Sequence, residues 1–121
     1  MRGRAISILY DDAKRRAAGY REVDAIAVAR ARGKVRIIDV REPSEFTGEL
    51  GHAPGAELVP LGRLGDAAKP WNKEEELVIV CRSGARSARA AMLLVAMGFE
   101  RPMNLLGGMM AWNEAGLAVE R

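Results

Sequence analysis

The most informative segment of the chain is LVIVCRSGARSARAAMLLVAMG, which spans residues 77–98. Its first four residues are branched and apolar, which is typical of a buried strand. A helix is expected from about Arg86 to Met97, where the residues are apolar almost all round, and Gly98 would end it. Cys81 therefore lies where a buried strand turns into a helix. In open α/β sheets, ligands bind beyond this end of the strands.

Extended and helical segments alternate along the rest of the chain. Strands are predicted at 35–40, 56–59 and 103–106, and helices at 11–18, 24–32, 43–47 and 109–115. Asp24 is expected to cap a helix, and Pro43 is expected in the first turn of another. This alternation predicts an α/β fold with a central, mainly parallel sheet that is flanked by helices on both faces.

Length and composition limit the fold and the setting of the protein. A chain of 121 residues, 49% of them hydrophobic, can bury about two-thirds of its surface and favours a single core. The longest apolar run, residues 90–97, is far shorter than the roughly 20 residues of a membrane span. The apolar run at 5–10 is also too short for a secretory signal, and two aspartates follow it. We therefore expect no contact with a membrane.

The chain has one cysteine and one histidine, which excludes an internal disulfide and argues against a structural metal site. We expect no metal and no cofactor, and the cysteine usage suits a reducing compartment, so a cytoplasmic location is predicted. The net charge of +3 is uneven, because residues 1–36 carry ten Lys/Arg and only four Asp/Glu. A solvated helical extension explains this better than a nucleic-acid site, since no nucleic-acid motif is present.

The loop after the predicted central strand has the composition of an anion-binding site around a nucleophile. A lone cysteine at a strand end is usually a small buried residue, but Gly84 and two arginines follow this one. Gly84 allows a tight turn in which backbone N–H groups point at the sulfur, and the helix N-terminus adds positive charge there. With Arg82 and Arg86 nearby, we expect the pKa of the Cys81 thiol to fall by about two units.

The spacing of this loop separates two chemistries. Protein tyrosine phosphatases and their relatives wrap a phosphate with a cysteine, five residues and an arginine. Here Arg86 follows Cys81 after only four residues, and Ser87 occupies the position that a phosphatase fills with arginine. The loop is therefore one residue short for phosphate.

Four stretches of the chain, spread over residues 20–118, carry a family resemblance. They are the segments IIDVREP with EF at 37–46, GHAPGA at 51–56, CRSGARS at 81–87 and LGGMMAW at 106–112. Together and in this order they resemble the signatures of the single-domain rhodaneses, a sulfurtransferase family. The second segment departs from the family pattern in having Ala53 where isoleucine is commoner. Residues 1–19 lie outside the resemblance, so we expect a basic helical extension at 1–19 and a rhodanese-like domain at 20–121.

The resemblance implies a reaction and a set of site residues. Cys81 would attack the outer sulfur of a donor such as thiosulfate, expel sulfite and carry the sulfur as a persulfide. The acceptor would be cyanide, a small thiol or a protein thiol. The substrate-binding residues would be those of the loop, Arg82, Ser83, Gly84, Ala85, Arg86 and Ser87.

Asp39 and Arg41 lie in the first signature, and we interpret them as a structural ion pair that supports the loop. Two other function classes stay open at this point. One is a cysteine-dependent phosphatase or arsenate reductase of related fold, which the loop length disfavours. The other is a non-catalytic rhodanese-like binding module, although such modules usually lack the cysteine.

Overall fold

A six-stranded sheet forms the centre of the protein, as seen in a computed structural model that describes residues 8–121. The strands are β1 (Lys14–Arg15), β2 (Arg21–Val23), β3 (Arg36–Asp39), β4 (Glu57–Leu58), β5 (Glu76–Val80) and β6 (Arg101–Leu105). They are arranged in the order β1-β2-β6-β5-β3-β4. Only β1 runs antiparallel to its neighbour, and the other pairs are parallel.

Helices cover both faces of this sheet. They are α1 (Ile8–Asp12), α2 (Ala25–Arg30), α3 (Pro43–Phe46), α4 (Leu61–Ala67), α5 (Ala85–Ala96) and α6 (Gly108–Glu114). One apolar cluster joins α2 and α6 to the sheet through residues such as Val28, Val78 and Trp112. A second cluster joins α4 and α5 to the opposite face through Leu64 and Leu94. The predicted α/β fold with a mainly parallel sheet is thus confirmed.

The central strand is buried on both faces, because alternate residues of β5 point into the two clusters. Val78 and Val80 belong to the first cluster, whereas Leu77, Ile79 and Cys81 belong to the second. Every residue of β5 is buried. A near-continuous apolar strand is expected where both faces of a parallel sheet are covered. This position fixes the start of the loop that follows the strand.

The structure differs from the sequence prediction at residues 11–18, where a single helix was expected. The helix lies at Ile8–Asp12, and the chain then pairs as β1 with β2. Gly19 has a φ of +93° and lies in the turn between these strands, where Arg16 N–H donates to the carbonyl of Tyr20. The same glycine would end a helix equally well, so local sequence did not distinguish the two structures.

Two further elements, β2 and α4, were not predicted. Helix α4 contains Gly62 and Gly65, which weaken a helix by about 1 kcal/mol each relative to alanine. It is held in place because Leu64 is fully buried in the second cluster. Tertiary packing therefore outweighs the low helix propensity of this segment.

Helix α1 contacts the rest of the fold. Leu9 of α1 belongs to the first apolar cluster, and the Arg21 side chain donates to the carbonyl oxygen of Tyr10 at 2.7 Å. The division of the chain into an extension at 1–19 and a domain at 20–121 stays a prediction. Among the helices at residues 8–121, none has the length and apolar character that crossing a bilayer requires.

Candidate active site

The loop between β5 and α5 places Cys81 at the carboxyl edge of the sheet. Cys81 is only 1% exposed, whereas Arg82 and Ser83 face the solvent. Gly84 immediately precedes α5 with a φ of +109°, a conformation that strains any residue with a Cβ atom. This turn brings the start of α5 back over the sulfur. The sequence prediction of a tight, glycine-dependent turn is therefore consistent with the backbone.

A second glycine lets the loop pack closely against the start of α6. A Cβ atom on Gly108 would collide with the carbonyl oxygens of Cys81 and Arg82. The N–H groups of Met109 and Met110 donate to these two carbonyls at 2.9 and 3.0 Å. The first turn of α6 thus holds the loop by its carbonyl groups. The N–H groups of the loop are left to face the sulfur.

Hydrogen-bond donors surround the Cys81 sulfur. The Gly84 N–H lies 3.1 Å from Sγ, and the Ser87 hydroxyl oxygen lies 3.3 Å from it. Burial by itself would raise the pKa of the Cys81 thiol. Hydrogen bonds from the Ser87 hydroxyl and from the N–H groups of Ser87, Gly84 and Ser83 outweigh that effect, and the pKa is lowered from its usual value. The site therefore favours the thiolate, which is the nucleophilic form of cysteine.

Asn104 of β6 is a site residue that the sequence analysis missed. It is 2% exposed, and its side-chain oxygen lies 2.5 Å from the Ser87 hydroxyl oxygen. Its amide nitrogen donates to the carbonyl of Gly84 at 3.2 Å. The signal in the sequence is an asparagine between the apolar residues Met103 and Leu105 of a predicted strand, because a buried amide needs hydrogen-bond partners.

Arg86 is paired with Glu45 of α3. Both terminal nitrogens of Arg86 donate to the Glu45 carboxylate at 2.8 Å. The hydrogen bonds from Arg86 lower the pKa of the Glu45 carboxyl to about 2, and an N–H donated by Glu42 acts in the same direction. From the sequence, both loop arginines were expected to bring positive charge to the thiol. The charge of Arg86 is instead compensated by a carboxylate that is far away in the sequence.

Arg82 differs from Arg86 in this respect. Its side chain is exposed, and no carboxylate of residues 8–121 pairs with it. It is therefore the loop cation that can respond to a solvent-borne anion.

Asp39 and Arg41 form a buried ion pair at the carboxyl end of β3. Asp39 is 0% exposed and Arg41 is 1% exposed, and two hydrogen bonds of 2.9 and 2.8 Å join their side chains. Arg41 also donates to the carbonyl oxygens of Glu45 and Gly51. The pair thus anchors α3 and the following loop, and α3 carries the carboxylate that holds Arg86.

The side chain of the single histidine, His52, contacts Phe46. His52 Nδ1 donates to the carbonyl of Phe46 at 2.7 Å, and its ring stacks on the Phe46 ring with centroids 3.6 Å apart. Its backbone pairs with that of Glu120. This histidine has a structural role in the loop that follows α3.

Comparison with known proteins agrees with this geometry. The family model described as "Rhodanese-like domain" matches residues 22–115. A sulfurtransferase of Allochromatium vinosum is 36% identical over 85 residues, which are 70% of this chain and 78% of that protein. A putative sulfur carrier protein of Bacillus subtilis, YrkF, is 38% identical over 65% of this chain and 42% of its own length. An uncharacterized Synechocystis protein is 40% identical over 73% of this chain. This chain spans about half the length of the last two proteins.

Solved structures share this fold. The human single-domain sulfurtransferase TSTD1 superposes with a TM-score of 0.70 at 26% identity, over 77% of this chain and 95% of that one. A Rhodopseudomonas palustris protein of unknown function, described as a possible tyrosine phosphatase, gives a TM-score of 0.74 at 27% identity. It covers 99% of this chain, and this chain covers 97% of it.

Proposed function

Since this chain belongs to the rhodanese-like family of sulfurtransferases, we propose that it moves sulfane sulfur from thiosulfate, or a similar donor, to a thiophilic acceptor through a persulfide on Cys81. The observation that carries this proposal is the set of donors around the sulfur. Gly84 N–H and the Ser87 hydroxyl both lie within hydrogen-bond distance of Sγ and favour the thiolate.

The first half-reaction transfers one sulfur atom to the protein. The Cys81 thiolate attacks the outer sulfur of thiosulfate, so that a new S–S bond forms at Cys81. The bond between the two sulfur atoms of thiosulfate breaks, and its electron pair leaves with sulfite. The negative charge then resides on the outer sulfur of the persulfide, where the N–H groups of the loop would stabilise it.

The second half-reaction returns the thiolate. Cyanide or a thiolate attacks the outer sulfur, the S–S bond to Cys81 breaks, and the electron pair returns to the Cys81 sulfur. The products are thiocyanate or an acceptor persulfide. A protein thiol is a further acceptor in this proposal, because one relative is named as a putative sulfur carrier protein.

Charge supports an anionic donor. Arg82 is exposed beside the buried sulfur and is free to meet the sulfonate end of thiosulfate. Arg86 would add less attraction than its full charge implies, because Glu45 compensates it. The other loop residues in this role, Ser83, Gly84, Ala85 and Ser87, would contribute N–H groups and the one hydroxyl.

We also propose that the reaction takes place in the cytoplasm. The chain has one cysteine, and a reducing compartment keeps such a thiol available between turnovers.

Intact mass spectrometry after treatment with thiosulfate tests the proposal directly. We expect a gain of about 32 Da on the wild-type protein, reversed by dithiothreitol, since persulfides are reversible modifications. The Cys81→Ser variant should gain nothing, because a serine hydroxyl is not ionised near neutral pH. Unchanged wild-type mass together with an intact fold would contradict the proposal.

A further inference from the structure

Ser87 has one hydroxyl hydrogen and two acceptors within reach. Its oxygen lies 2.5 Å from the Asn104 side-chain oxygen and 3.3 Å from the Cys81 sulfur. A hydroxyl can donate only one hydrogen bond at a time. Asn104 and Cys81 are both buried, so water does not replace this donor, although Sγ also accepts the Gly84 N–H. Asn104 and Cys81 therefore compete for the single hydrogen bond that the Ser87 hydroxyl can donate.

The orientation of the Asn104 amide is fixed by its other neighbours. Its nitrogen lies 3.2 Å from the carbonyl oxygen of Gly84 and 3.5 Å from a carboxylate oxygen of Glu22. Both of these groups are acceptors, so the nitrogen must face them. The oxygen of the amide must then face Ser87, where it accepts a hydrogen bond from the hydroxyl.

We propose that Asn104 is a positioning residue for sulfur transfer. It competes with Cys81 for the hydrogen bond of the Ser87 hydroxyl and thereby limits how strongly Ser87 holds the thiolate. This inference rests on the proposed function of Cys81. In the thiolate state the charge is on Sγ, which draws the proton. In the persulfide state the charge is on the outer sulfur, and the Ser87 hydroxyl, which keeps its proton, donates its hydrogen bond to the Asn104 oxygen.

Such sharing has a consequence for reactivity. A thiolate that is stabilised more strongly is also a weaker nucleophile, so a very low thiol pKa does not give the fastest sulfur transfer. By offering Ser87 another acceptor, Asn104 weakens the hold of Ser87 on the thiolate, while the N–H groups of the loop still favour that form. It also prevents the Ser87 hydroxyl from losing its acceptor when Sγ becomes neutral.

Charged groups surround the site, and a neutral substitution at Asn104 alters none of their charges, although it removes the contact of the amide nitrogen with Glu22. They are Arg82 in the loop, Arg86 on α5, Glu45 on α3, Asp39 on β3, and Glu22 on β2 with its partner Arg16. Arg86 interacts electrostatically with the Cys81 thiolate, and Glu45 and Asp39 with Arg86. A change in the thiol pKa that depends jointly on Ser87 and Asn104 therefore reports the shared proton and not these charges.

A double-mutant cycle tests the proposal. The thiol pKa is obtained from the pH dependence of alkylation by iodoacetamide, which reports Cys81 alone because the chain has one cysteine. The proteins compared are the wild type, Ser87→Ala, Asn104→Leu and the double variant. We expect Ser87→Ala to raise the pKa by about half a unit with Asn104 present and by about one unit or more in the Asn104→Leu background.

An equal shift in the two backgrounds would overturn the proposal, because a merely structural asparagine would affect both members of each pair alike. Ser83→Ala is the matched control, since its side chain is exposed, and its effect should be the same in both backgrounds. Asn104→Ala replaces Asn104→Leu if circular dichroism shows that the leucine is not accommodated. Alkylation uses no sulfur donor, so this outcome is independent of whether thiosulfate adds sulfur to Cys81.

Discussion

Glu45 and Arg86 lie 41 residues apart in the chain and are joined by two hydrogen bonds of 2.8 Å. Because of this contact, the two loop arginines differ in whether their charge is paired. Arg86 is held by a carboxylate, whereas Arg82 is exposed and has no such partner within residues 8–121. Glu45 is in turn placed by the buried Arg41, which donates to its carbonyl oxygen at 3.2 Å. The cationic character of the site is therefore set by residues of α3 as well as by the loop.

Arg82→Ala should weaken the use of thiosulfate without weakening the fold. A charge-assisted contact contributes about 1.5–3 kcal/mol, so we expect kcat/KM for thiosulfate to fall tenfold or more. The difference from wild type should shrink as salt is raised, because the lost interaction is electrostatic. Arg89→Ala is the matched control, since Arg89 is exposed on α5, the helix that follows the loop. A normal kcat/KM for Arg82→Ala would remove the donor role of this residue.

Glu45→Gln should have the opposite effect on the donor. It leaves the Arg86 guanidinium uncompensated, so the loop becomes more positive. We expect KM for thiosulfate to fall about fivefold at low salt, equivalent to about 1 kcal/mol. Glu49→Gln removes an exposed carboxylate shortly after α3, the helix that carries Glu45, and should leave KM unchanged. An unchanged or higher KM for Glu45→Gln would show that Arg86 does not contact the donor.

The same pair predicts a pH dependence of stability. The pKa of Glu45 is about 2 in the folded protein against an ordinary 4.5, so the pairing stabilises the fold above pH 4.5. That contribution is lost as the pH falls from 4.5 toward 2. Since about a third of each side chain is exposed, solvent screening reduces it to about 1 kcal/mol. Urea unfolding should show a smaller acid-induced loss for Glu45→Gln than for wild type, and parallel losses would contradict the prediction.

Asp39→Asn should destabilise the protein severely. It leaves the Arg41 guanidinium buried without its counter-charge, which typically costs about 3–5 kcal/mol. We expect a large drop in Tm, measured by circular dichroism. Asp66→Asn breaks an exposed pair with Lys69 and should change Tm little. A small effect of Asp39→Asn would mean that the pair does not support the site.

Loop length should exclude phosphatase activity. Four residues separate Cys81 from Arg86, and this ring suits a single sulfur atom better than a phosphate. We expect wild type to hydrolyse p-nitrophenyl phosphate no faster than Cys81→Ser.

Inserting one glycine after Gly84 should abolish most sulfur transfer, because the N–H groups would move away from the sulfur. The same insertion should raise the affinity for phosphate or arsenate. Phosphatase activity of the unmodified protein that depends on Cys81 would reverse this assignment.

Local patterns predicted the centre of the fold better than its start. The apolar run of β5 and the glycines at 84 and 98 indicate a strand, a turn and the end of a helix from neighbouring residues alone. Residues 11–18 have no such pattern, and β1 forms only because β2 pairs with it. Helix α4 likewise depends on the burial of Leu64.

The residues of the candidate site also differ in whether neighbouring sequence was sufficient to predict them. Cys81 and its loop are contiguous, so sequence spacing was sufficient to find them. Glu45 and Asn104 reach the loop from α3 and β6, and their roles depend on distances that only the folded chain sets. An asparagine within a predicted strand was present in the sequence, but its burial and the partner of its amide oxygen came only from the fold.

Both margins of the sheet are two-residue strands that carry charged side chains. Lys14 and Arg15 of β1 are exposed at one margin, and Glu57 of β4 is exposed at the other, where it pairs with Arg36. Short, charged margins present few unpaired backbone groups to a strand of another molecule. Strand β1 therefore covers the outer edge of β2, and it leaves a margin of only two residues for edge-to-edge association with other chains.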